Sequence, residues 1–218
     1  MGCRSNNAPR TGHSRQSRGT VSRRTIRLPP YSKALSLVPR LSNGLCAVQI
    51  GDVILSNPTL FRRVMSLYPP YVGAGIRVTR VSDNFREIDV ELRLGKLNRN
   101  AMGTHFGGSL YAMTDPFYAL MYIANLGPRY NIWDYGAKIE FKRPGTGVVH
   151  AQFRLSSEDI DLARQSARDG TKYLPVHHID ICDSHRERVA VVEKQIYIRK
   201  KHLKPTPVRA TGGKVGVG

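Results

Sequence analysis

The sequence predicts an α+β fold in which a curved antiparallel sheet wraps around one long central helix. Several segments, of which 75–81 and 88–94 are the clearest, alternate strictly between apolar and polar residues, as half-buried antiparallel strands do. Another stretch, 110–124, is apolar nearly all round, which is typical of a helix buried on every side. A sheet that curves around such a helix buries the apolar surface of both elements.

The first 52 residues are predicted to lie outside this fold. They contain nine Lys or Arg against one acidic residue, Asp52, and show no apolar periodicity over most of their length. Three interpretations stay open: translation that really begins near Val53, an Arg- and Ser-rich organellar transit peptide, or an ordinary disordered basic arm. Residues 201–218 are rich in Lys, Pro and Gly and are expected to be a disordered basic tail. The folded domain is therefore predicted to span residues 53–200.

The charge balance indicates which kinds of binding partner the chain favours. The chain of 218 residues has a formal net charge of +18, which favours acidic partners. Nearly half of that excess lies in residues 1–52, so we expect no nucleic-acid binding by the folded part. Three cysteines without metal-ligand spacing favour a reducing compartment without a disulfide framework. No apolar stretch reaches the ~18 residues of a transmembrane helix. We expect a cytoplasmic protein, or one of an organellar matrix if residues 1–52 are a transit peptide.

The first half of the domain is predicted to hold one helix and a hairpin. Ser56 or Asn57 followed by Pro58 is a typical helix start, with an N-cap side chain and a proline in the first turn. An apolar stripe follows, and the helix must end at Pro69-Pro70 because proline breaks the helical hydrogen bonding. The alternating segments 75–81 and 88–94, joined by the turn cluster 82–84, then predict two paired strands.

The second half is predicted to hold the central helix and four strands. The helix runs from Ser109 to Ala124 after a polar loop, and the strands cover roughly 132–143, 148–155, 173–183 and 188–199. The run from Pro144 to Gly147 predicts a hairpin turn between the first two of these strands. Residues 156–168 predict a short charged helix.

The start of the central helix resembles a motif of the phenylacetyl-CoA-type thioesterases of the hot-dog fold superfamily. Gly107 and Gly108 match the family's glycines, and Asp115 lies eight residues after Gly107, as the family's acidic residue does. Residues ~56–200 look closer still to an uncharacterised thioesterase-like branch of that superfamily. Two positions depart from the motif: Phe106 replaces the family's histidine, with His105 one residue earlier, and Pro116 follows the acid where the family usually has Thr or Ser.

The resemblance implies a hot-dog fold, an acyl-CoA substrate and no cofactor beyond the coenzyme A that the substrate carries. It also implies a homodimer or a dimer of dimers with the acyl site at the interface, and pairing would cover an open sheet edge. Two other functions stay open: a non-catalytic module that binds acyl-CoA or a fatty-acyl group, and a hydratase or dehydratase of the same superfamily.

Asp115 and Gly108 are the leading catalytic candidates. Thioester hydrolysis needs stabilisation of the carbonyl oxygen, and the N–H of Gly108 at a helix start could supply it. Burial in an apolar helix should raise the pKa of Asp115 and make it a better base, or it could attack the thioester directly. The structural alternatives are that the glycines only allow close packing, and that Asp115 caps a second helical segment at a kink before Pro116.

Further candidates surround this pair. His105 and Asn100 are predicted to assist catalysis by orienting the carbonyl, water or Asp115, and the substrate-binding candidates are Gly107, Ser109, Asn98 and Phe106. The structural alternatives are a turn residue for each asparagine and a helix-start residue for His105. Basic residues that could contact the phosphates of coenzyme A, or form only a solvated surface, are Lys138, Lys142, Arg143 and residues 199–201. No cluster has metal-ligand spacing, so no metal is predicted.

Overall fold

The computed structural model describes residues 53–201, and the predicted extension and residues 202–218 lie outside that range. From Pro58 onward, the described part contains five helices and six strands in the order α1 (Pro58–Ser66), α2 (Pro69–Ala74), β1 (Ile76–Val81), β2 (Glu87–Arg93), α3 (Gly107–Ala112), α4 (Phe117–Leu126), β3 (Tyr130–Phe141), β4 (Val148–Arg154), α5 (Ser157–Ser166), β5 (Val176–Asp183) and β6 (Arg188–Lys200). Every predicted strand is present within a few residues of its expected bounds. Among the described residues, no helix is long and apolar enough to cross a bilayer.

The strands form one antiparallel sheet in the order β1-β2-β4-β5-β6-β3. The core lies between this sheet and α4, whose buried side chains include Phe117, Met121 and Tyr122. Phe117 packs on Phe153 of β4 with ring centroids 4.9 Å apart. The predicted arrangement of a sheet against an apolar helix is therefore confirmed.

The predicted hairpin between the third and fourth strands is wrong. β3 pairs with β6, whereas β4 lies between β2 and β5. The inward residues of β4, Val149, Ala151 and Phe153, are fully buried, as suits a central strand, whereas most of β3 is exposed at an edge. The turn at 144–147 reverses the chain, but a turn does not dictate which strands become neighbours.

The central helix is interrupted rather than continuous. α3 ends at Ala112 and α4 begins at Phe117, with Asp115 and Pro116 between them, joined by a cis peptide bond. Proline has no N–H to donate and disfavours the helical conformation of the residue before it. The predicted kink before Pro116 is thus present, but the predicted capping role of Asp115 is wrong, because the N-cap of α4 is Pro116 without a side-chain cap and the Asp115 carboxylate contacts Lys194 instead.

The amino-terminal helix begins as predicted. The side chain of Asn57 accepts a hydrogen bond from the Leu60 N–H at 3.0 Å, and Pro58 occupies the first turn. The two prolines at 69 and 70 do more than end this helix, since they also start the short helix α2, which the sequence did not predict. Proline is well tolerated in a first helical turn.

The cysteine prediction stays a prediction. Cys182 is buried on β5. The other two cysteines lie outside the described residues.

Candidate functional site

Asp115 lies in the break between α3 and α4, where its side chain is 46% exposed. Its Oδ1 accepts a hydrogen bond from the Lys194 ammonium at 2.5 Å, and its backbone carbonyl accepts one from the hydroxyl of Tyr71 on α2. The Thr114 hydroxyl donates to the Tyr111 carbonyl at 2.7 Å. The carboxylate is therefore fixed in position and still open to solvent.

Lys194 is the centre of this site. Its side chain is fully buried on β6, yet it carries a charge, and a buried charge is tolerated only when it is paired. Besides Asp115, its Nζ lies 3.4 Å from Oδ1 of Asp134 and 3.5 Å from the hydroxyl of Tyr111. It also lies 5.1 Å from the centroid of the Tyr111 ring, within the range of a cation–π contact.

Asp134 reaches the same ammonium from β3. The register pairs Asp134 with Ile196 and Ala137 with Lys194, and it shifts between Asp134 and Gly136. Ile196 and Lys194 are two residues apart on one strand, so their side chains share a face. The side chain of Asp134 is 24% exposed, and its Oδ1 is buried without a hydrogen-bond partner among the described residues.

The two carboxyl groups differ in pKa. Burial and the contact with the Asp115 carboxylate raise the pKa of Asp134 to about 7, although the Lys194 ammonium opposes the rise. Burial also tends to raise the pKa of Asp115, but its contacts with Asp134 and Lys194 outweigh burial and hold it below its ordinary value. The expectation that burial raises the pKa of Asp115 is therefore wrong, and the raised value belongs to Asp134.

Sequence reasoning missed Asp134 and Lys194, although a signal was present. The inward face of β6 reads Val192, Lys194, Ile196 and Ile198, all fully buried. A lysine in the apolar phase of an alternating strand needs a buried acidic partner. Asp115 at the helix break and Asp134 on a predicted strand were candidates for this acidic partner.

His105 is buried in the loop before α3. Its Nε2 lies 3.2 Å from the carbonyl of Gly147, and its Nδ1 is buried without a hydrogen-bond partner in the described part of the chain. Burial lowers the pKa of the imidazole, so the neutral form is favoured. Within residues 53–201, no hydrogen bond or ion pair joins His105 to Asp115.

The two predicted asparagines organise the loop that leads to α3. The Asn98 amide donates to the carbonyls of Ala74 and Arg93 at 2.5 and 2.7 Å and accepts from the Gly95 N–H at 2.6 Å. The side-chain Oδ1 of Asn100 accepts from the N–H groups of Met102 and Thr104. These contacts give both residues a structural role, and their predicted contacts with substrate or water stay predictions.

The start of α3 is crowded by aromatic rings. A Cβ at Gly108 would lie 2.4 Å from the Phe106 ring, and one at Gly107 would lie 3.0 Å from the Phe141 ring. Close packing is therefore one reason for both glycines, in agreement with the structural alternative. The Phe106 side chain is itself 57% exposed. Ser109 is buried, and its N–H donates to the Phe106 carbonyl at 2.9 Å.

A groove of about 540 Å³ adjoins this helix start. It lies between His105 and Gly107 on one side, Leu110 below, and the segment from Phe141 to Gly145 on the other side. Lys142 at its rim is 2.7 Å from Glu140, and Arg143 pairs with Asp183 and Glu187. The predicted phosphate contacts of these two basic residues would compete with existing ion pairs.

Metal binding has no structural support in the described part of the chain. Among residues 53–201, no group of three or more His, Cys, Asp or Glu side chains could hold an ion. The carboxylates of Asp115 and Asp134 meet an ammonium instead, which supplies the positive charge at this site.

An antiparallel sheet packed on a broken apolar helix, with a glycine pair at the start of that helix and an acid at the break, defines a hot-dog fold of the thioesterase type. The chain belongs to the family described as domain of unknown function DUF4442, whose model matches residues 57–198. No curated protein matches the sequence.

Several solved structures share this fold at low sequence identity. A protein of unknown function from Pseudomonas aeruginosa, described as a probable thioesterase, is 19% identical with a TM-score of 0.59, over 66% of this chain and 97% of its own. A thioesterase from Haemophilus influenzae is 14% identical with a TM-score of 0.50, over 68% and 95%. A protein of unknown function from Chlorobaculum tepidum is 15% identical with a TM-score of 0.52, over 71% and 96%. At such identities the likeness shows the fold.

Proposed function

We propose that this protein hydrolyses an acyl-CoA thioester. The observation that carries the proposal is the half-exposed carboxylate of Asp115, which a fully buried ammonium holds at the break of the central helix. A buried charged lysine is costly for a fold. Its retention beside an exposed acid indicates that the position and ionisation of that acid matter.

The lowered pKa of Asp115 favours an ionised carboxylate at neutral pH. An ionised carboxylate can accept a proton from water or attack the thioester carbon itself. In the first route, the water oxygen bonds to the acyl carbon while its proton moves to Asp115. The carbon–sulfur bond then breaks, and the leaving thiolate takes that proton. In the second route, a carboxylate oxygen of Asp115 bonds to the acyl carbon, the carbon–sulfur bond breaks, and coenzyme A leaves as its thiolate. Water then hydrolyses the resulting anhydride to the free acid and the Asp115 carboxylate, and the proton that water releases goes to the thiolate.

The carbonyl oxygen becomes negative in either route and needs donors. The N–H of Gly108 belongs to the first turn of α3, where N–H groups have no acceptor within the helix. We assign this N–H the role of hydrogen-bond donor to the negative carbonyl oxygen. Gly107 and Phe106 would lie beside the acyl group, with Ser109 in the same turn of the helix. His105 would lie along the adjoining groove. The neutral form of His105 suits a hydrogen bond to a carbonyl or to water rather than an ion pair.

A homodimer is part of this proposal. β3 lies at one edge of the described sheet, and it exposes Trp133, Tyr135 and Phe141. An edge strand with exposed apolar side chains is a ready surface for pairing with another chain. Light scattering on the purified full chain should give a multiple of its 24.4 kDa mass, whereas a monomer at assay concentrations would contradict this part of the proposal.

The test of hydrolysis is thiol release by the full chain with short, medium, long and aromatic acyl-CoAs. Asp115→Asn should abolish release and leave binding of the acyl-CoA nearly unchanged. The matched control is Asp180→Asn, which removes a carboxylate on β5 that is paired with Arg188 at 2.9 Å. Equal loss in both variants, or release that persists in Asp115→Asn, would contradict the role of Asp115.

A non-catalytic acyl-binding module is the second candidate. It is favoured by the replacement of the motif histidine by Phe106, whose exposed ring covers Gly108. This function would be established instead if the folded wild-type protein binds acyl-CoA but releases no thiol from any of the four substrate classes. Asp115→Asn should then bind acyl-CoA with unchanged affinity.

A further inference from the structure

Two carboxyl groups share one ammonium at this site. Lys194 contacts Asp115 at 2.5 Å and Asp134 at 3.4 Å through a single nitrogen atom. The two acidic oxygens can therefore be separated by no more than the two distances together. One positive charge cannot neutralise two negative charges, and like charges at such separations disfavour double ionisation.

The three charged side chains differ in how far they are exposed to solvent. Asp115 is 46% exposed and can meet a substrate, whereas Asp134 is 24% exposed and Lys194 is fully buried. Besides the Lys194 ammonium at 3.4 Å, the buried Oδ1 of Asp134 has no hydrogen-bond partner among the described residues. A protonated Asp134 is a neutral group in that environment, which relieves both the burial of its charge and the repulsion by Asp115.

We propose that Asp134 is the positioning residue of this site and that it shares one proton with Asp115 across the Lys194 ammonium. This inference rests on the proposed hydrolysis by Asp115. When Asp134 holds the proton, the whole charge of Lys194 faces Asp115 and makes it a weak base. When Asp134 loses the proton, it competes for Lys194, and Asp115 accepts a proton from water more readily.

The other polar groups around the ammonium do not take this role. The Tyr71 hydroxyl donates to the Asp115 carbonyl, and burial raises its pKa, so it stays protonated. The Tyr111 hydroxyl lies 3.5 Å from the Lys194 nitrogen. His177 is the residue opposite Lys194 on β5, but its Nε2 lies 3.1 Å from the Tyr122 hydroxyl, and burial lowers its pKa. Tyr68 packs on Tyr71 at the far side.

The expected consequence is that kcat/KM depends on pH through the coupled titration of Asp115 and Asp134. Since the pKa of Asp134 is about 7, kcat/KM for an acyl-CoA should rise as the pH passes through neutrality. Asp134→Asn stays neutral at every pH and should remove this inflection while turnover persists. Asp115→Asn should abolish turnover altogether.

The decisive experiment is a titration of the full chain labelled with ¹³C at its aspartate carboxyl carbons. The wild type, Asp134→Asn, Asp115→Asn and the control Asp180→Asn are followed from about pH 2.5 to about pH 9, which brackets ordinary and raised carboxyl pKa values. A carboxyl signal with a midpoint near neutrality should vanish in Asp134→Asn. In Asp115→Asn that midpoint should fall by about one unit or more, because strongly coupled carboxyl groups shift each other by at least that much. Asp180→Asn should leave it unchanged.

The outcomes separate this inference from the proposed function. The shared proton is overturned if the Asp134 carboxyl signal titrates with an ordinary midpoint, or if its midpoint does not change in Asp115→Asn. Either result would overturn it even if the enzyme hydrolyses acyl-CoA. A coupled titration without any thiol release supports the shared proton and overturns hydrolysis. Because Asp115→Asn reports the same coupling from the other partner, the test stands even if Asp134→Asn does not fold.

Discussion

Replacement of the buried Lys194 by methionine should destabilise the fold in a pH-dependent manner. Methionine fills a similar volume but removes the ammonium, which leaves Asp115 and Asp134 without their shared partner. Both carboxyl groups then face each other in a partly buried site, and the loss is largest where both are ionised.

The magnitude follows from the burial of the three groups. Removing one partner of a buried ion pair typically costs about 3–5 kcal/mol. Asp115 and Asp134 keep 46% and 24% of their side-chain exposure, so solvent relieves part of that cost. We expect a loss of about 3 kcal/mol near pH 8, the low end of the range. Near pH 5, Asp134 is already neutral, so the loss should be smaller by about 1–2 kcal/mol, given about 1.4 kcal/mol for each unit of pKa.

Urea unfolding of the full chain at the two pH values measures this difference. The control is Lys138→Met, which removes an ammonium that is 69% exposed and 2.8 Å from Glu140. An exposed ion pair contributes little to stability because solvent screens it, and its loss should hardly depend on pH in this range. An equal loss for Lys194→Met at both pH values would refute the assignment of the site's charges.

Three further changes have defined outcomes. Asp134 has a pKa of about 7 in the folded protein, above the ordinary value of about 3.9, so its contribution to the free energy of unfolding is complete below about pH 4 and is lost as the pH rises through 7. Unfolding titrations of Asp134→Asn should lack that slope. Asn98→Ala should cost about 2–3 kcal/mol in urea unfolding because three backbone groups lose the buried Asn98 side chain as their hydrogen-bond partner, against less than about 0.5 kcal/mol for the exposed Asn131→Ala. Ser156→Ala, which removes the capping box that Ser156 forms with Asp159, should lower the unfolding free energy by about 1 kcal/mol, and an unchanged midpoint would show that α5 needs no cap.

The strands could be predicted from the sequence because each one buries a single face. Alternation of apolar and polar residues records that burial locally, so β1 and β2 were placed within a residue or two. Alternation does not record which strand lies alongside. β3 and β4 are neighbours in sequence across Pro144, yet the burial of β4 on its inward face requires a central position, and β3 pairs with β6 instead.

Only part of the site could be predicted from the sequence, because local patterns do not show which distant residues the fold brings together. Asp115 could be singled out because it lies in an apolar helix, eight residues after Gly107 as in the thioesterase motif, and both are local features. Its partner Lys194 is 79 residues away, and only the fold brings the two together. The pKa prediction for Asp115 went wrong because burial was considered without this partner.

The register shift of β3 gives its open edge a particular property. β3 is 12 residues long and lies at the end of the described sheet, and Tyr135, between Asp134 and Gly136, has no paired residue on β6. A strand that adds to this edge meets two hydrogen-bonding segments that are out of step by one residue, so it must either stop at the shift or deform as well. Asp134 is the last residue of the first segment. A strand that docks along β3 would therefore contact the backbone that carries this carboxyl group, so the proposed assembly and the proposed chemistry would meet at a single irregular residue of the strand.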